Sequence, residues 1–279
     1  MRFSEFAQLF TESMLAEGGA MPGVGAIHIS EIEPTLAKLE SSLGINLRDF
    51  TLGSVGKREF SGDIDVAIDL KPEQLDDFAQ KLQQDPNIED ARKSAVFMTK
   101  VKIENFDPSK SDGRPRTGYV QIDFMPGDPA WMKTYYHSPR DTESKYKGAF
   151  RNALIASIAA FYQREDSKET IDDGRPVESK RWMWSPVNGL VRIKRTPVPK
   201  ARGVGYTKKN KNEIIQKPIK TAPEIAKSLG LDGPEDLNSY ESLKAAIEKN
   251  YPSELVQRIL KKFIDTPQVQ DIGVPEDLK

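Results

Sequence analysis

The sequence contains no cysteine and only two histidines among its 279 residues. The lack of cysteine excludes a disulfide framework, a thiolate metal site and a cysteine nucleophile. A reducing cytoplasm is therefore the default location that we expect. No run of residues approaches the roughly 18 consecutive apolar positions that a membrane span needs. These absences favour a protein without membrane contact, in which any metal ion would be bound by oxygen ligands.

Charge is balanced over the whole chain but unevenly distributed along it. The net charge is −1, and 30% of the residues are charged. Residues 175–220 contain 13 lysines and arginines against 2 acidic residues. The regions on either side, 1–174 and 221–279, are both acidic. Because domain-level charge informs mainly about partners, we expect the basic segment to contact an anionic partner.

The hydrophobic pattern predicts an α+β fold with a mixed sheet flanked by helices. Strands are predicted in DFTLGS, GDIDVAIDL, SAVFMTKVKIENF and GYVQIDFM. An amphipathic helix is predicted at the start of the chain, with Phe3, Phe6, Phe10 and Met14 on one side. The remaining predictions are a long helix after YYHSP, a hairpin in RWMWSPVNGLVRIKRT with its turn at Asn188-Gly189, and a helical C-terminus. We expect a core in 1–174, a basic hairpin region in 175–220 and a helical segment in 221–279.

Acidic residues enter two of the predicted strands at positions that alternate with apolar ones. A strand has a side-chain period of two, so Asp63 and Asp65 project from one face. In QIDFM, Gln121 and Asp123 share a face in the same way. If the two strands are neighbours, three carboxylates converge and repel one another unless a hard cation compensates them. In a chain without cysteine the suitable cation is Mg²⁺ or Mn²⁺.

The stretch GSVGKREFSGDID places a Gly-Ser pair shortly before the first two aspartates. Glycine lets the backbone approach a phosphate closely, and the serine hydroxyl of Ser54 can donate to the phosphate oxygens. A helix starting just after Ser54 would add its positive end. Lys57 and Arg58 could neutralise further negative charge. The stretch is not a P-loop, because G-x-x-x-x-G-K-[S/T] does not occur in it.

This combination resembles the DNA polymerase β-type nucleotidyltransferase superfamily, over roughly residues 49 to 125. The resemblance implies a polymerase β-like core in which Gly53 and Ser54 form the turn for the nucleotide phosphates. It also implies that Asp63 and Asp65 are the paired metal ligands and that Asp123 is the third carboxylate. The tract YYHSP…ESKYKGAFRNALI resembles nucleotidyltransferases encoded by bacteriophages. A phage-encoded member would work in the host cytoplasm.

The activity that the resemblance implies is transfer of NMP from an NTP to an acceptor hydroxyl, with two metal ions bridging the carboxylates and the triphosphate. We expect RNA, such as a tRNA 3′ end, as the acceptor. One alternative keeps the chemistry but transfers NMP to a protein side chain or a small molecule. Another is a non-catalytic phage structural or binding protein that retains the fold. The sequence does not give the base preference or the oligomeric state.

Several basic and aromatic residues carry weaker predictions. A basic residue on the helix after the third carboxylate touches the triphosphate in relatives of the superfamily, so Lys147 and Arg151 are candidates, together with Lys145. His28 and His137 lack a partner at metal-ligand spacing, and a structural role is favoured for both. Trp182 and Trp184 are expected to pack in the hairpin. The basic charge of 175–220 favours binding of an RNA backbone, with docking on an acidic protein surface as the alternative.

Overall fold

The computed structural model describes residues 21–94, 96–140, 144–201 and 204–279. The predicted N-terminal helix lies outside these residues. The chain divides into two compact units, Met1–Gly148 and Ala149–Lys279. The division predicted from composition placed boundaries near 174 and 220 instead. Both the basic segment and the C-terminal helices belong to the second unit.

The first unit is built on a four-stranded mixed sheet with the order β3-β6-β5-β4. Strands β3 and β6 are parallel, and the other two pairings are antiparallel. A separate two-stranded sheet pairs β1 with β2. In chain order the elements are β1 (Ile27–His28), α1 (Ile29–Leu43), β2 (Phe60–Ser61), β3 (Asp63–Ile68), α2 (Leu75–Gln84), β4 (Ile88–Lys93), β5 (Phe97–Lys102), β6 (Tyr119–Pro126) and α3 (Pro129–Tyr135).

One face of the mixed sheet is apolar and forms the core of the unit. The alternation in β3 and β6 places Ile64, Val66, Ile122 and Phe124 on this face, all of them fully buried. Helices α1 and α2 pack against it with their apolar residues, which are Ile32, Leu36, Leu39, Leu43, Phe78 and Leu82. Because the apolar core covers one face of the sheet, the polar residues of the same strands must lie on the other face.

A buried ion pair ties the start of α1 to the long connection between β5 and β6. Arg116 and Glu31 have side chains that are 6% and 1% exposed, and their Nη2 and Oε1 atoms are 2.7 Å apart. The Glu31 carboxylate also accepts the backbone N–H groups of His28 and Asp107. Burial alone would raise the pKa of Glu31, but the hydrogen bonds from Arg116 and the two backbone groups outweigh it, and its pKa lies below 4.5.

The second unit contains a four-stranded antiparallel sheet with the order β10-β9-β8-β7. Strands β8 and β9 form a hairpin in which Ser185 pairs with Gly189, so residues 186–188 make the turn. The elements are α4 (Gly148–Phe161), β7 (Glu165–Asp166), β8 (Ser179–Ser185), β9 (Gly189–Pro199), β10 (Tyr206–Ile214), α5 (Ala222–Ser228), α6 (Tyr240–Asn250), α7 (Ser253–Ile264) and α8 (Pro267–Ile272). None of the helices in the described part of the chain combines the length and apolar character that a bilayer crossing requires.

Two predicted elements differ from the structure, and one strand was not predicted. No helix follows Ser54; residues 53–57 form consecutive turns, in which the N–H of Lys57 donates to the Ser54 carbonyl at 3.1 Å. The stretch DFTLGS is not a full strand, because Thr51 makes only an isolated bridge to Val66. Strand β10 had no clear period in the sequence, since its residues are mostly exposed and polar on both faces.

Candidate functional site

The parallel pairing of β3 with β6 brings the predicted carboxylates together. Asp65 lies directly opposite Asp123, and Asp63 lies opposite Gln121. The expected adjacency of the two strands is therefore confirmed. Asp63 is exposed, whereas Asp65 and Asp123 are half-buried. All four side chains project from the face that the apolar core leaves free.

The Gly-Ser turn lies beside this carboxylate face. The backbone N–H of Leu52 donates to the carbonyl of Asp65 at 2.9 Å. This bond holds the segment just before the Gly-Ser turn alongside β3. Gly53 has a φ of 63°, in the left-handed region that favours glycine. A Cβ added at Gly53 would lie 3.8 Å from Oδ2 of Asp65. The backbone of the turn therefore passes close to Asp65, and Ser54 beside it is exposed.

The carboxylates perturb one another electrostatically. Burial, with the charges of Asp63 and Asp123, holds the pKa of Asp65 well above its ordinary value. Burial and the charge of Asp63 raise the pKa of Asp123 to about 6, although a hydrogen bond from Gln121 opposes this. Groups that raise one another's pKa in this way are those that a cation would stabilise in their ionised form.

Gln121 connects Asp123 to the backbone at the start of the described chain. Its Nε2 donates to Oδ1 and Oδ2 of Asp123 at 3.0 and 3.2 Å. Its Oε1 accepts the backbone N–H of Met21 at 2.9 Å. Both ends of the buried Gln121 amide therefore form hydrogen bonds, and its Nε2 fixes the plane of the Asp123 carboxylate. The sequence placed Gln121 on the correct face but gave no sign of this contact.

Tyr136 also belongs to this neighbourhood. Burial and the charges of Tyr135 and Asp65 hold the pKa of Tyr136 well above its ordinary value. The two tyrosine rings meet edge to face, with centroids 4.8 Å apart. Tyr136 therefore presents a neutral phenol near Asp65. The sequence-based prediction did not include it, because α3, which ends just before it, was not foreseen.

The predicted basic residues are distributed differently from the expectation. The Nζ of Lys57 donates to the carbonyl of Ser138, which ties the turn to the segment after α3. Arg58 is exposed. Lys145 and Lys147 are also exposed and precede α4.

Arg151 is 3% exposed, and its Nε donates to the carbonyl of Leu237 within the second unit. A guanidinium buried in this way supports the packing of the second unit, and contact of Arg151 with a triphosphate stays a prediction. Nothing in the sequence distinguished Arg151 from a solvent-facing helical arginine.

The histidine and tryptophan expectations agree with the structure where it describes them. His28 is the N-cap of α1, and its side chain accepts the N–H of Ser30. Trp182 and Trp184 are buried. The indole N–H of Trp184 donates to Asn152 at 3.3 Å, and that of Trp182 donates to Gln163 at 3.4 Å. Their role in the described structure is packing.

The donor chemistry of the site fits a hard divalent cation. Three carboxylates lie on one open sheet face, the pKa values of Asp65 and Asp123 are raised there, and carboxylate oxygens are the ligands that Mg²⁺ and Mn²⁺ prefer. Among the described residues, no set of three or more His, Cys, Asp or Glu side chains has the spacing of a complete metal site. Asp63, Asp65 and Asp123 would hold the ion, with remaining positions supplied by water or substrate phosphate.

No protein-family model matches the sequence, and no curated protein matches it. The chain is similar to a crystal structure of Leishmania infantum polymerase beta as a ternary P/T complex. The identity is 13%, the TM-score is 0.40, and the match covers 84% of this chain and 88% of that one. A ternary gap complex of the same polymerase is 15% identical, with a TM-score of 0.39 and coverage of 83% and 74%.

Proposed function

We propose that the protein is a metal-dependent nucleotidyltransferase that transfers NMP from an NTP to a hydroxyl group, with RNA as the acceptor. The observation that carries the proposal is the shared face of Asp63, Asp65 and Asp123 beside the turn at Gly53. Carboxylates in this arrangement suit phosphoryl transfer, because that chemistry depends on positioning and on neutralising phosphate charge.

The residues divide the task between the two substrates. The Gly53 turn allows a triphosphate to approach the backbone, and the Ser54 hydroxyl donates to its oxygens. Lys57 and Arg58 place positive charge at the same end of the site. A bound divalent cation would supply charge neutralisation of the triphosphate and a lower pKa for the acceptor hydroxyl. Asp63 and Asp65 would hold such a cation on the nucleotide side.

Asp123 acts on the acceptor side. The acceptor oxygen forms a bond to the α-phosphorus while the bond to the bridging oxygen of the β-phosphate breaks, and pyrophosphate leaves with that oxygen. The proton of the acceptor hydroxyl passes to Asp123 and from there to water. An ionised carboxylate beside the acceptor hydroxyl can accept this proton. Gln121 fixes the orientation of its carboxylate.

The choice of RNA rests on the basic segment 175–220. Lys208, Lys209 and Lys211 are exposed along β10. A nucleic-acid backbone that binds such a surface releases counterions, so its affinity falls steeply with salt. Reversing the charge of the three lysines should lower the affinity for RNAs of many sequences and flatten the salt dependence. Anisotropy titration with tRNA and an unrelated single strand measures both effects.

The direct experiment uses each labelled NTP with Mg²⁺ and a cell extract, followed by separation of labelled RNA, protein and small molecules. We expect label in RNA, and loss of label in Asp63→Asn and Asp65→Asn with the fold intact by circular dichroism. Label in protein or in small molecules would show that the acceptor is one of these in place of RNA. No metal-dependent label in any fraction would contradict the proposal and favour a non-catalytic binding protein.

A further inference from the structure

A group of arginines lies on one face of the antiparallel sheet in the second unit. Arg195 of β9 pairs with Ser179 of β8, and Arg181 pairs with Ile193. Because residues directly opposite in an antiparallel pair share a face, both guanidinium groups project from the same side. Asp166 of β7 also pairs with Ser179 and joins this face.

Carboxylates compensate only part of this positive charge. The Nε of Arg164 donates to Oδ1 of Asp166 at 2.8 Å, which draws Arg164 to the same face. Arg175, whose charge also acts on Arg195, is paired with Asp173 at 2.7 Å. Over the described ranges, neither Arg181 nor Arg195 has a carboxylate within ion-pair distance. Neither guanidinium group is therefore held in an ion pair, although the charge of Asp166 acts on Arg181.

Arg195 and Arg181 differ in how their donors are used. In the amide orientation that satisfies both groups, the side-chain oxygen of Asn210 accepts from Nη2 and Nε of Arg195 at 2.7 and 3.2 Å. The Nε of Arg181 is buried and meets no acceptor in the part of the chain that the structure describes. Burial and the charges of Arg195 and Arg164 lower the pKa of Arg181 to about 10, although the charge of Asp166 opposes this.

An incompletely compensated, partly buried cation beside two like charges is costly unless an anion binds there. Guanidinium groups present their N–H donors in a planar fork that matches the oxygens of a phosphate group. The neighbouring β10 is exposed and carries further lysines, so positive charge extends beyond the arginines, although Lys211 pairs with Thr196 and projects from the opposite face. A chain of phosphates complements such a surface better than one isolated anion does.

We propose that Arg164, Arg181 and Arg195 form a phosphate-binding site that holds one phosphodiester of a single-stranded RNA. The inference deepens the proposed function and rests on its RNA acceptor, since it assigns a defined backbone contact within the basic region. Free inorganic phosphate shares the same chemistry, and the experiment below separates the two sources.

The first measurement is anisotropy titration of a labelled single-stranded RNA of about 20 nucleotides at about 50 and 200 mM salt. Arg181→Gln should weaken binding about tenfold and reduce the salt slope by about 0.7 for each phosphate that the variant no longer neutralises. Lys227→Gln is the control, because it removes one positive charge from an exposed position on α5. A change of less than about twofold is expected for it. Equal effects of the two substitutions would overturn the site.

The second measurement is thermal unfolding without RNA. Removing an incompletely compensated, partly buried charge should raise the Tm of Arg181→Gln by about 2–4 °C. A guanidinium that serves only to stabilise the sheet gives the opposite result, a lower Tm, which would overturn the proposal. Arg181→Lys keeps the charge without the fork, so we expect it to recover part of the RNA affinity.

The source of the phosphate is tested with inorganic phosphate alone. If phosphate stabilises the wild type but not Arg181→Gln, while both bind RNA equally, the nucleic-acid assignment is overturned. The result we expect is reduced RNA affinity in Arg181→Gln with unchanged NTP affinity. Retained nucleotide transfer by Asp65→Asn would overturn the proposed function whatever Arg181 does. Unchanged RNA affinity in Arg181→Gln overturns only the present inference.

Discussion

Replacing Asp123 by asparagine should stabilise the metal-free protein above about pH 6. The fold raises the pKa of this carboxyl from 3.8 to about 6, through burial and the charge of Asp63. The difference corresponds to about 3 kcal/mol of unfolding free energy, by which the ionised carboxylate is disfavoured in the fold. Asparagine keeps the shape and removes the charge.

Part of this gain is offset, because the hydrogen bond that Gln121 donates to Asp123 is stronger with an ionised acceptor. We therefore expect a net stabilisation of about 1–2 kcal/mol at about pH 8. The pH dependence of the unfolding free energy is opposite to that of a carboxyl group whose pKa is lowered by folding. A raised carboxyl pKa stabilises the protonated fold at low pH, and this contribution is lost as the pH rises through about 6. At about pH 4 the advantage of the variant should disappear.

The assay is urea unfolding in a chelator at about pH 8 and about pH 4. Asp69→Asn is the control, because Asp69 follows the same strand but is exposed. Millimolar Mg²⁺ should stabilise the wild type at the higher pH and narrow the gap to Asp123→Asn. A variant that is less stable than the wild type at about pH 8, or equally shifted at both pH values, would refute the electrostatic reasoning.

Three further substitutions test other parts of the first unit. Gly53→Val should weaken NTP binding at least about tenfold in calorimetry, because the left-handed φ strains a branched residue and the valine side chain would fill the space through which the phosphates approach. Ser54→Ala should have a smaller effect. Equal NTP affinity of the wild type and both variants would refute the assignment of this turn as a phosphate site. Glu31→Gln should lower the unfolding free energy by about 3 kcal/mol by leaving its buried arginine partner uncompensated, as urea unfolding would show; a loss below about 1 kcal/mol would contradict this. Gln121→Leu should raise the pKa of Asp123 further, since it removes a hydrogen bond that lowers it; a carboxyl titration by NMR that shows no change would exclude this contact.

The carboxylate face could be predicted from the sequence because the strand period of two is local. Asp63 and Asp65 alternate with apolar residues, and so does Asp123. The face from which each aspartate projects therefore follows from its own strand, without knowledge of how the strands pair. The predicted turn at Gly53 also lies where expected. The prediction of a helix after Ser54 was wrong, because a short stretch with two glycines has no hydrophobic period that distinguishes a helix from successive turns.

Contacts between distant parts of the chain could not be predicted. The ion pair of Glu31 with Arg116 joins residues that are 85 positions apart. The contact of Gln121 with Met21 and the grouping of Arg164, Arg181 and Arg195 depend on strand register in the same way. Arg151 is a further case, since its place after the third carboxylate made it a candidate triphosphate contact and its hydrogen bond to the Leu237 carbonyl could not be foreseen.

The most direct test of the central claim is transfer of a labelled nucleotide to RNA in the presence of Mg²⁺ by Asp65→Asn and Asp69→Asn. Both substitutions remove one carboxylate charge from the same short stretch of chain, but only Asp65 faces Asp123. We predict that Asp69→Asn transfers at the wild-type rate and that Asp65→Asn is slower by at least about a hundredfold. Equal rates in the two variants would contradict the assignment of the carboxylate face as the site of nucleotide transfer.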